Sequence, residues 1–224
     1  MFSENKDIIK KNYNESNSTI ESFLSDINKI VVTSDNFEGN CFYYNKTFDR
    51  KKEFLNKQLN LYWVSKENLK NICEIGFNAG HSTFLLLLGN ENKDIHFTIF
   101  DINSHPYTNQ CLEYIFHKYQ HVDFEFVEGD SITAIPDWLN KHKKYEFFDL
   151  VHIDGGHALE IITNDLANSI KILRKGGILI IDDVHKQHIN NLVDIYLSTG
   201  LISEVTEFMF ETTLCPHRIF KKTI

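Results

Sequence analysis

No run of eighteen apolar residues occurs anywhere in the 224 residues, so no stretch reads as a membrane span. No long basic segment offsets the formal charge of −8, which argues against nonspecific binding to nucleic acid. Cysteine is sparse. Cys41, Cys73, Cys111 and Cys215 stand apart without a CxxC pair, a spacing that offers neither a zinc cage nor a disulfide framework. Free thiols in a reducing compartment fit that pattern. The opening MFSENKDIIKKNYNESNS lacks the apolar centre of a secretory signal. The resulting expectation is a cytoplasmic protein with neither membrane nor nucleic acid as partner. Internal repeats and low-complexity linkers are missing too.

What is present is enough apolar residue, 42%, to bury one sizeable core. The chain divides by pattern into a leader, residues 1–68, and a domain, residues 69–224. In the leader, Ile20, Phe23, Leu24, Ile27 and Ile30 fall at helical spacing. A polar and aromatic loop with a Gly39-Asn40 turn follows, then a second helical stretch from Arg50 to Val64. This leader reads as a mainly helical cap that packs on the domain or covers a site, and it is a candidate surface for a homo-oligomer. Phe42, Tyr43 and Tyr44 read as packing residues, with substrate contact as the alternative.

From Leu69 the pattern alternates. Strands are expected at Ile72–Ile75, Ile95–Phe100, Asp123–Val127, Phe148–Ile153 and Gly177–Ile181. Helices are expected near Ser82–Leu88, Tyr107–Gln120, Ile132–Lys141 and Leu159–Leu173. A helix near Gln187–Leu197 and strands Ile202–Phe210 and Cys215–Phe220 complete the tail. Such alternation predicts an α/β fold, a mostly parallel sheet with helices on both sides and ligands at the carboxyl ends of its strands.

The stretch NICEIGFNAGHST, Asn71 to Thr83, is the focus of that arrangement. A short apolar strand, a Gly76–Gly80 turn and an apolar helix form the recipe for holding a nucleotide-like cofactor. Glu74 is unusual in a buried strand unless it has a partner. Asp101 ends the second strand, 25 residues after Gly76 (101 − 76), near the spacing at which a carboxylate accepts hydrogen bonds from a ribose. Gly129-Asp130-Ser131 follows the third strand; Asp130 is a candidate for an adenine amino group, and Ser131 for the cap of the next helix. Asp154 ends the fourth strand, and Asp182-Asp183 the fifth. Neighbouring parallel strands lie about 5 Å apart, so the three carboxylates are expected to crowd one edge. Something positive must sit among them, and a hard divalent cation such as Mg²⁺ prefers such oxygens. His157, on the Gly155-Gly156 turn, is the candidate base, with His81 and His185 flanking.

Taken in order, EIGFNAGHST, FDIN, EGDS, FDLVHIDGGH and LRKGGILIIDDV resemble the class I S-adenosylmethionine-dependent methyltransferases. Within them they most resemble the small metal-dependent O-methyltransferases of the macrocin and sugar type, over about residues 70 to 185. The resemblance implies a Rossmann-like, seven-stranded sheet with the last strand antiparallel. It implies that Glu74, Gly76, Phe77, Asn78, Gly80, His81 and Ser82 surround the methionine part of the cofactor. Asp101 would hold the ribose, Asp130 and Ser131 would meet the adenine, and Ile102, Gly129 and Asp154 would also bind the cofactor. Asp154, Asp182 and Asp183 match the metal ligands of metal-dependent relatives. Where some sugar-methylating relatives carry a second aspartate as base, this chain has Gly156, which leaves the role to His157. The expected reaction is methyl transfer to a hydroxyl of a sugar or glycan unit, with a catechol-like acceptor as the alternative. A nicotinamide-dependent dehydrogenase is disfavoured, because G-x-G-x-x-G spacing is missing. A non-catalytic cofactor-binding module is the remaining rival.

Overall fold

A computed structural model describes residues 5–34, 41–44, 48, 50–92, 94–207 and 209–224. The Gly39-Asn40 turn lies outside the described residues. Three helices lead: α1 (Lys6–Glu15), α2 (Asn17–Val31) and α3 (Leu55–Ser65), the last entered through a 3-10 turn at Lys52–Phe54. Helix α1 falls outside the stretches expected to be helical. It forms because the Asn5 side chain accepts from Asp7 N and Ile8 N, and because Ile9 and Tyr13, four residues apart, bury on one side.

Strand and helix then alternate as the pattern predicts: β1 (Asn71–Ile75), α4 (His81–Leu88), β2 (Ile95–Asp101), α5 (Thr108–Lys118), β3 (Val122–Glu128), α6 (Ser131–His142), β4 (Phe148–Ile153), α7 (Leu159–Ile172) and β5 (Leu173–Ile181). Helix α8 (Gln187–Ser198) and strands β6 (Ile202–Glu204) and β7 (Arg218–Lys222) close the chain. The seven strands run in the order β3-β2-β1-β4-β5-β7-β6, with β7 antiparallel to both neighbours. Strand β6 stops well short of the expected Phe210. That residue is instead drawn to α3, where Asn60 Oδ1 accepts from Phe210 N (2.7 Å) and Asn60 Nδ2 donates to Phe210 O (2.9 Å).

The sheet is buried on both faces, and strand alternation sorts its side chains between two cores. Ile72, Phe97, Ile99, Leu150, Ile178 and Ile180 face a core shared with α1 to α5. Cys73, Ile75, Phe100, Val151, Ile153, Leu179 and Ile181 face α6, α7 and α8. The leader helices bury their apolar stripes in the first of these, with Phe23 stacked on Phe84 at 3.9 Å between ring centroids. Each such buried aliphatic or aromatic side chain contributes about 1.5–3 kcal/mol. The strand order reverses between β1 and β4, and that reversal opens a crevice at the carboxyl ends of the strands.

Candidate active site

A cavity of about 540 Å³ occupies that crevice. On one side it is lined by the turn after β1, by Asp101 and Ile102 after β2, and by Gly129, Asp130 and Ser131 after β3. On the other lie Asp154 to His157 after β4 and Asp183, His185 and Lys186 after β5. Cys41, Tyr44, Phe54 and Lys57 reach it from the leader.

The turn after β1 is fixed from within the protein. Gly76 has φ +93°, and a Cβ there would come within 2.8 Å of Gly155 Cα, so only glycine fits against the β4 turn. Asp101 Oδ2 accepts from the backbone N–H groups of Phe77 (2.6 Å) and Asn78 (3.1 Å), and Oδ1 from Asn103 N (2.6 Å). Asp101 is therefore a turn-holding carboxylate that also borders the cavity. The residue before α5 ties the turn down further, with Tyr107 Oη donating to Asn78 Oδ1 (2.7 Å). Phe77, Asn78, His81 and Ser82 line the cavity, whereas Glu74 and Gly80 do not. Gly80, at φ +77°, starts α4 where a Cβ would strike the Phe77 ring at 2.7 Å, so its need for glycine is internal. His81 is buried among the rings of Phe23, Phe42 and Tyr43, and burial pushes it down to about 3. Phe42 and Tyr43 pack inside the leader as expected, while Tyr44 is half-exposed at the cavity.

After β3 the helix cap is Asp130 rather than Ser131: its side chain accepts from Ile132 N at 3.0 Å, and Ser131 is the first helical residue. Ile102, 62% exposed, presents apolar surface to the cavity beside Asp101. Below them Asp165 of α7 is fully buried. Ser131 is its polar neighbour, but neither carboxylate oxygen makes a well-formed hydrogen bond, and burial pushes it up to about 6.

The expected acidic trio is split. Two sets of three ligand atoms lie within 4.8 Å of one another: His152, Asp154 and Asp182, and Asp154, His157 and Asp183. Asp154 belongs to both, but Asp182 and Asp183 share neither. Strand alternation explains the division, since consecutive residues at the end of β5 diverge to opposite sides. Asp182 continues the row of Ile178 and Ile180 toward the leader and is 2% exposed. There its Oδ2 meets Lys57 Nζ at 2.8 Å and His152 Nε2 at 3.3 Å, and its Oδ1 faces His217 Nδ1 at 3.4 Å. Asp183, at φ +57°, turns toward His157 and Lys186, whose Nε2 and Nζ lie 2.6 and 2.7 Å from its Oδ2.

The partner that Glu74 requires is His152. β1 and β4 pair Glu74 with His152, and His152 Nδ1 lies 2.9 Å from Glu74 Oε1, with Thr83 Oγ1 donating to Oε2. Burial alone would lower His152, but its bonds to Asp182 and Glu74 outweigh that and raise it to about 10, favouring the imidazolium. Burial likewise opposes charge on Asp182 and Lys57. Lys57 and His152 nevertheless hold Asp182 well below the carboxylate range, and Asp182 with Asp154 holds Lys57 well above its own. Burial and the charge of Asp182 push Asp154 well up, favouring its neutral form. Within the chain, Lys57 and His152 face Asp182, and His157 and Lys186 face Asp183.

Comparison with known proteins rests on this geometry. The family model described as a methyltransferase domain matches residues 73–184, half of the chain. The chain belongs to the methyltransferase-domain family. No curated protein matches the sequence. Among solved structures, an O-methyltransferase from Bacillus cereus in complex with S-adenosylhomocysteine is 16% identical, with 91% of each chain covered and a TM-score of 0.66. The O-methyltransferase TomG from Streptomyces achromogenes, in complex with S-adenosylmethionine, is 14% identical over 90% of each chain, TM-score 0.64. A TDP-rhamnose 3′-O-methyltransferase of calicheamicin biosynthesis is 12% identical, covering 90% of this chain and 93% of its own, TM-score 0.58. At these identities the likeness is one of fold.

In this methyltransferase the β4 turn carries glycine at position 156. A Cβ on Gly156 would lie 2.7 Å from Ile161 Cδ1, so a side chain at this position requires the Ile161 side chain of α7 to move aside. His157, 44% exposed, stands beside it, and His188 Nε2 meets the His157 carbonyl at 2.7 Å to fix the turn to α8. His185 Nδ1 lies 3.7 Å from Asp183. The motif reading named neither Lys57, which lines the cavity, nor the buried His152, His217 and Asp165. The signal for Lys57 was a lysine two residues before the apolar run LNLYWV, and for His152 a histidine within a hydrophobic strand.

Proposed function

We propose that the protein transfers a methyl group from S-adenosylmethionine to a hydroxyl of a sugar or glycan unit. The observation that carries this reading is the juxtaposition, across one cavity, of the Asp101-pinned turn with the pair His157–Asp183. The residues fit the cofactor. Asp101 has acceptor capacity beyond its backbone bonds for ribose hydroxyls, Ile102 offers an apolar face to the adenine, and Asp130 and Ser131 border the same end. Gly76 to Ser82 would enclose the methionine part, with Glu74 and Gly80 supporting them from below. When bound, the sulfonium supplies an electrophilic methyl: the acceptor oxygen's lone pair forms the new C–O bond while the C–S pair remains on sulfur.

His157 receives the hydroxyl proton. Its Nε2–H donates to Asp183, which leaves Nδ1 as the acceptor and stabilises the imidazolium that forms. The position two residues past Asp154 is Gly156, which has no side chain to act as base, and this favours His157. Residues 1–68 serve as the cap that closes the acceptor side, and residues 69–224 as the cofactor-binding domain. A sugar is preferred to a catechol on the family resemblance, and the similar TDP-rhamnose enzyme is consistent with it.

Divalent-metal assistance is the second reading. Asp182 is unsuited to it, being paired with Lys57, but Asp154, His157 and Asp183 form a set open to the cavity. They would hold the ion, which would supply Lewis-acid polarisation of the acceptor oxygen. Incubation with S-adenosylmethionine and either dTDP-rhamnose or a catechol, followed by detection of S-adenosylhomocysteine, tests the reaction. His157→Ala is expected to lower kcat roughly 100-fold with cofactor affinity kept. Failure of S-adenosylhomocysteine to raise the melting temperature would remove the methyltransferase reading, and Mg²⁺-dependent recovery after chelation would favour the second form.

A further inference from the structure

Lys57 is the one lysine on α3 that is buried, its side chain only 5% exposed, and it enters the cavity from outside the family-matched segment. A lysine is placed in such a position at a desolvation cost that only a close anion offsets. Its anion is Asp182, one of the carboxylates that the sequence assigned to a metal. We propose that Lys57 is the resident cation of the acceptor site, occupying with its ammonium the role that the acidic edge otherwise gives to a divalent ion, so that methyl transfer here proceeds without metal. This deepens the O-methyltransferase reading and rests on it.

Three observations converge. First, Asp182 already has Lys57 at 2.8 Å and His152 at 3.3 Å on the same oxygen, so a metal would have to displace both. Second, the other ligand atoms are engaged as well: His152 with Glu74 and Asp182, and, in the set open to the cavity, Asp183 Oδ2 with His157 Nε2 at 2.6 Å and Lys186 Nζ at 2.7 Å. Third, Lys57 borders the cavity together with Asp154, where an acceptor oxygen would meet it. An ammonium carries three donors, of which Asp182 engages one. It can therefore bind an oxygen and favour its developing negative charge, while the proton passes to His157 and the C–S electron pair to sulfur as above. A chelated metal favours two neighbouring oxygens, whereas an ammonium needs only one acceptor oxygen to engage. The acceptor class widens accordingly, from vicinal diols and catechols to compounds bearing one suitably placed hydroxyl.

The test is a Mn²⁺ titration, followed by electron paramagnetic resonance, on the full chain saturated with S-adenosylhomocysteine. The wild type is expected to bind no Mn²⁺ below about 1 mM, and Lys57→Gln, which leaves the acids without their cation, to bind it at least roughly tenfold more tightly. Lys57→Arg keeps the charge and should refuse the ion like the wild type. Submillimolar Mn²⁺ binding by the wild type overturns the proposal, as does Lys57→Gln binding no better. The wild-type titration decides even where a variant fails to fold. Cofactor saturation, read separately as a rise in melting temperature, distinguishes failure of the methyltransferase reading from failure of this one.

Discussion

The two sides of the cavity are built differently. The cofactor side is made of turns: a glycine bend, a carboxylate accepting three backbone N–H groups, and a helix cap, each closed by residues near in sequence or on the next strand. The acceptor side is made of charge. Glu74, His152, Asp182 and Lys57 run in a buried line from β1 through β4 and β5 to α3, and His217 joins from the segment before β7. Disturbing the first should relax a rim, whereas disturbing the second should strand an ion in the protein interior.

The largest expected effect therefore lies on the acceptor side. Lys57→Met removes the closest cation from Asp182 and should cost about 3–5 kcal/mol in urea unfolding. The double variant Lys57→Met with Asp182→Asn should lose less than the sum of the singles, and simple additivity would contradict a coupled pair.

The same side should also govern alkaline behaviour. His152 is raised to about 10 from an ordinary value near 6.5, so its contribution is complete below pH 6.5 and is lost as pH rises through 10. Melting temperature should fall between pH 7 and 10, and a flat profile there would remove the buried cation. Asp165 works against stability, because the folded protein prefers it protonated. Stability declines as pH climbs from about 4 to about 6. Asp165→Asn should gain about 2–3 kcal/mol at pH 8 and nothing at pH 4, read from paired melts. The smallest effect belongs to the cofactor rim: Asp101→Asn should cost about 1–2 kcal/mol while weakening S-adenosylhomocysteine binding, measured by calorimetry. A loss as large as that of Lys57→Met would erase the contrast between the two sides.

The same contrast decides what could be read from the sequence. Alternating hydrophobic strands and helices gave the sheet, because a strand buried on both faces leaves a continuous apolar run. Gly76, Asp101 and Asp130 were visible because their roles are local and stereochemical. The split of Asp182 from Asp183 was implicit in strand alternation, yet proximity in sequence suggested one cluster. Lys57 could not be found by motif: its partner is more than a hundred residues away, and only the packing of α3 over the sheet brings them together. Helix α1 escaped because its stripe is only Ile9 and Tyr13 in a polar segment.

Asn60 binds both backbone groups of Phe210 one turn after Lys57 reaches Asp182, and its Nδ2 lies 2.9 Å from His217 Nε2. Helix α3 and the loop preceding β7 are therefore held together as one packing unit, although some 150 residues separate them. Chimaeras that exchange the leader with that of a related enzyme should work only when this loop travels with it. A crossover near residue 68 alone would graft a foreign α3 onto a loop shaped to grip Asn60.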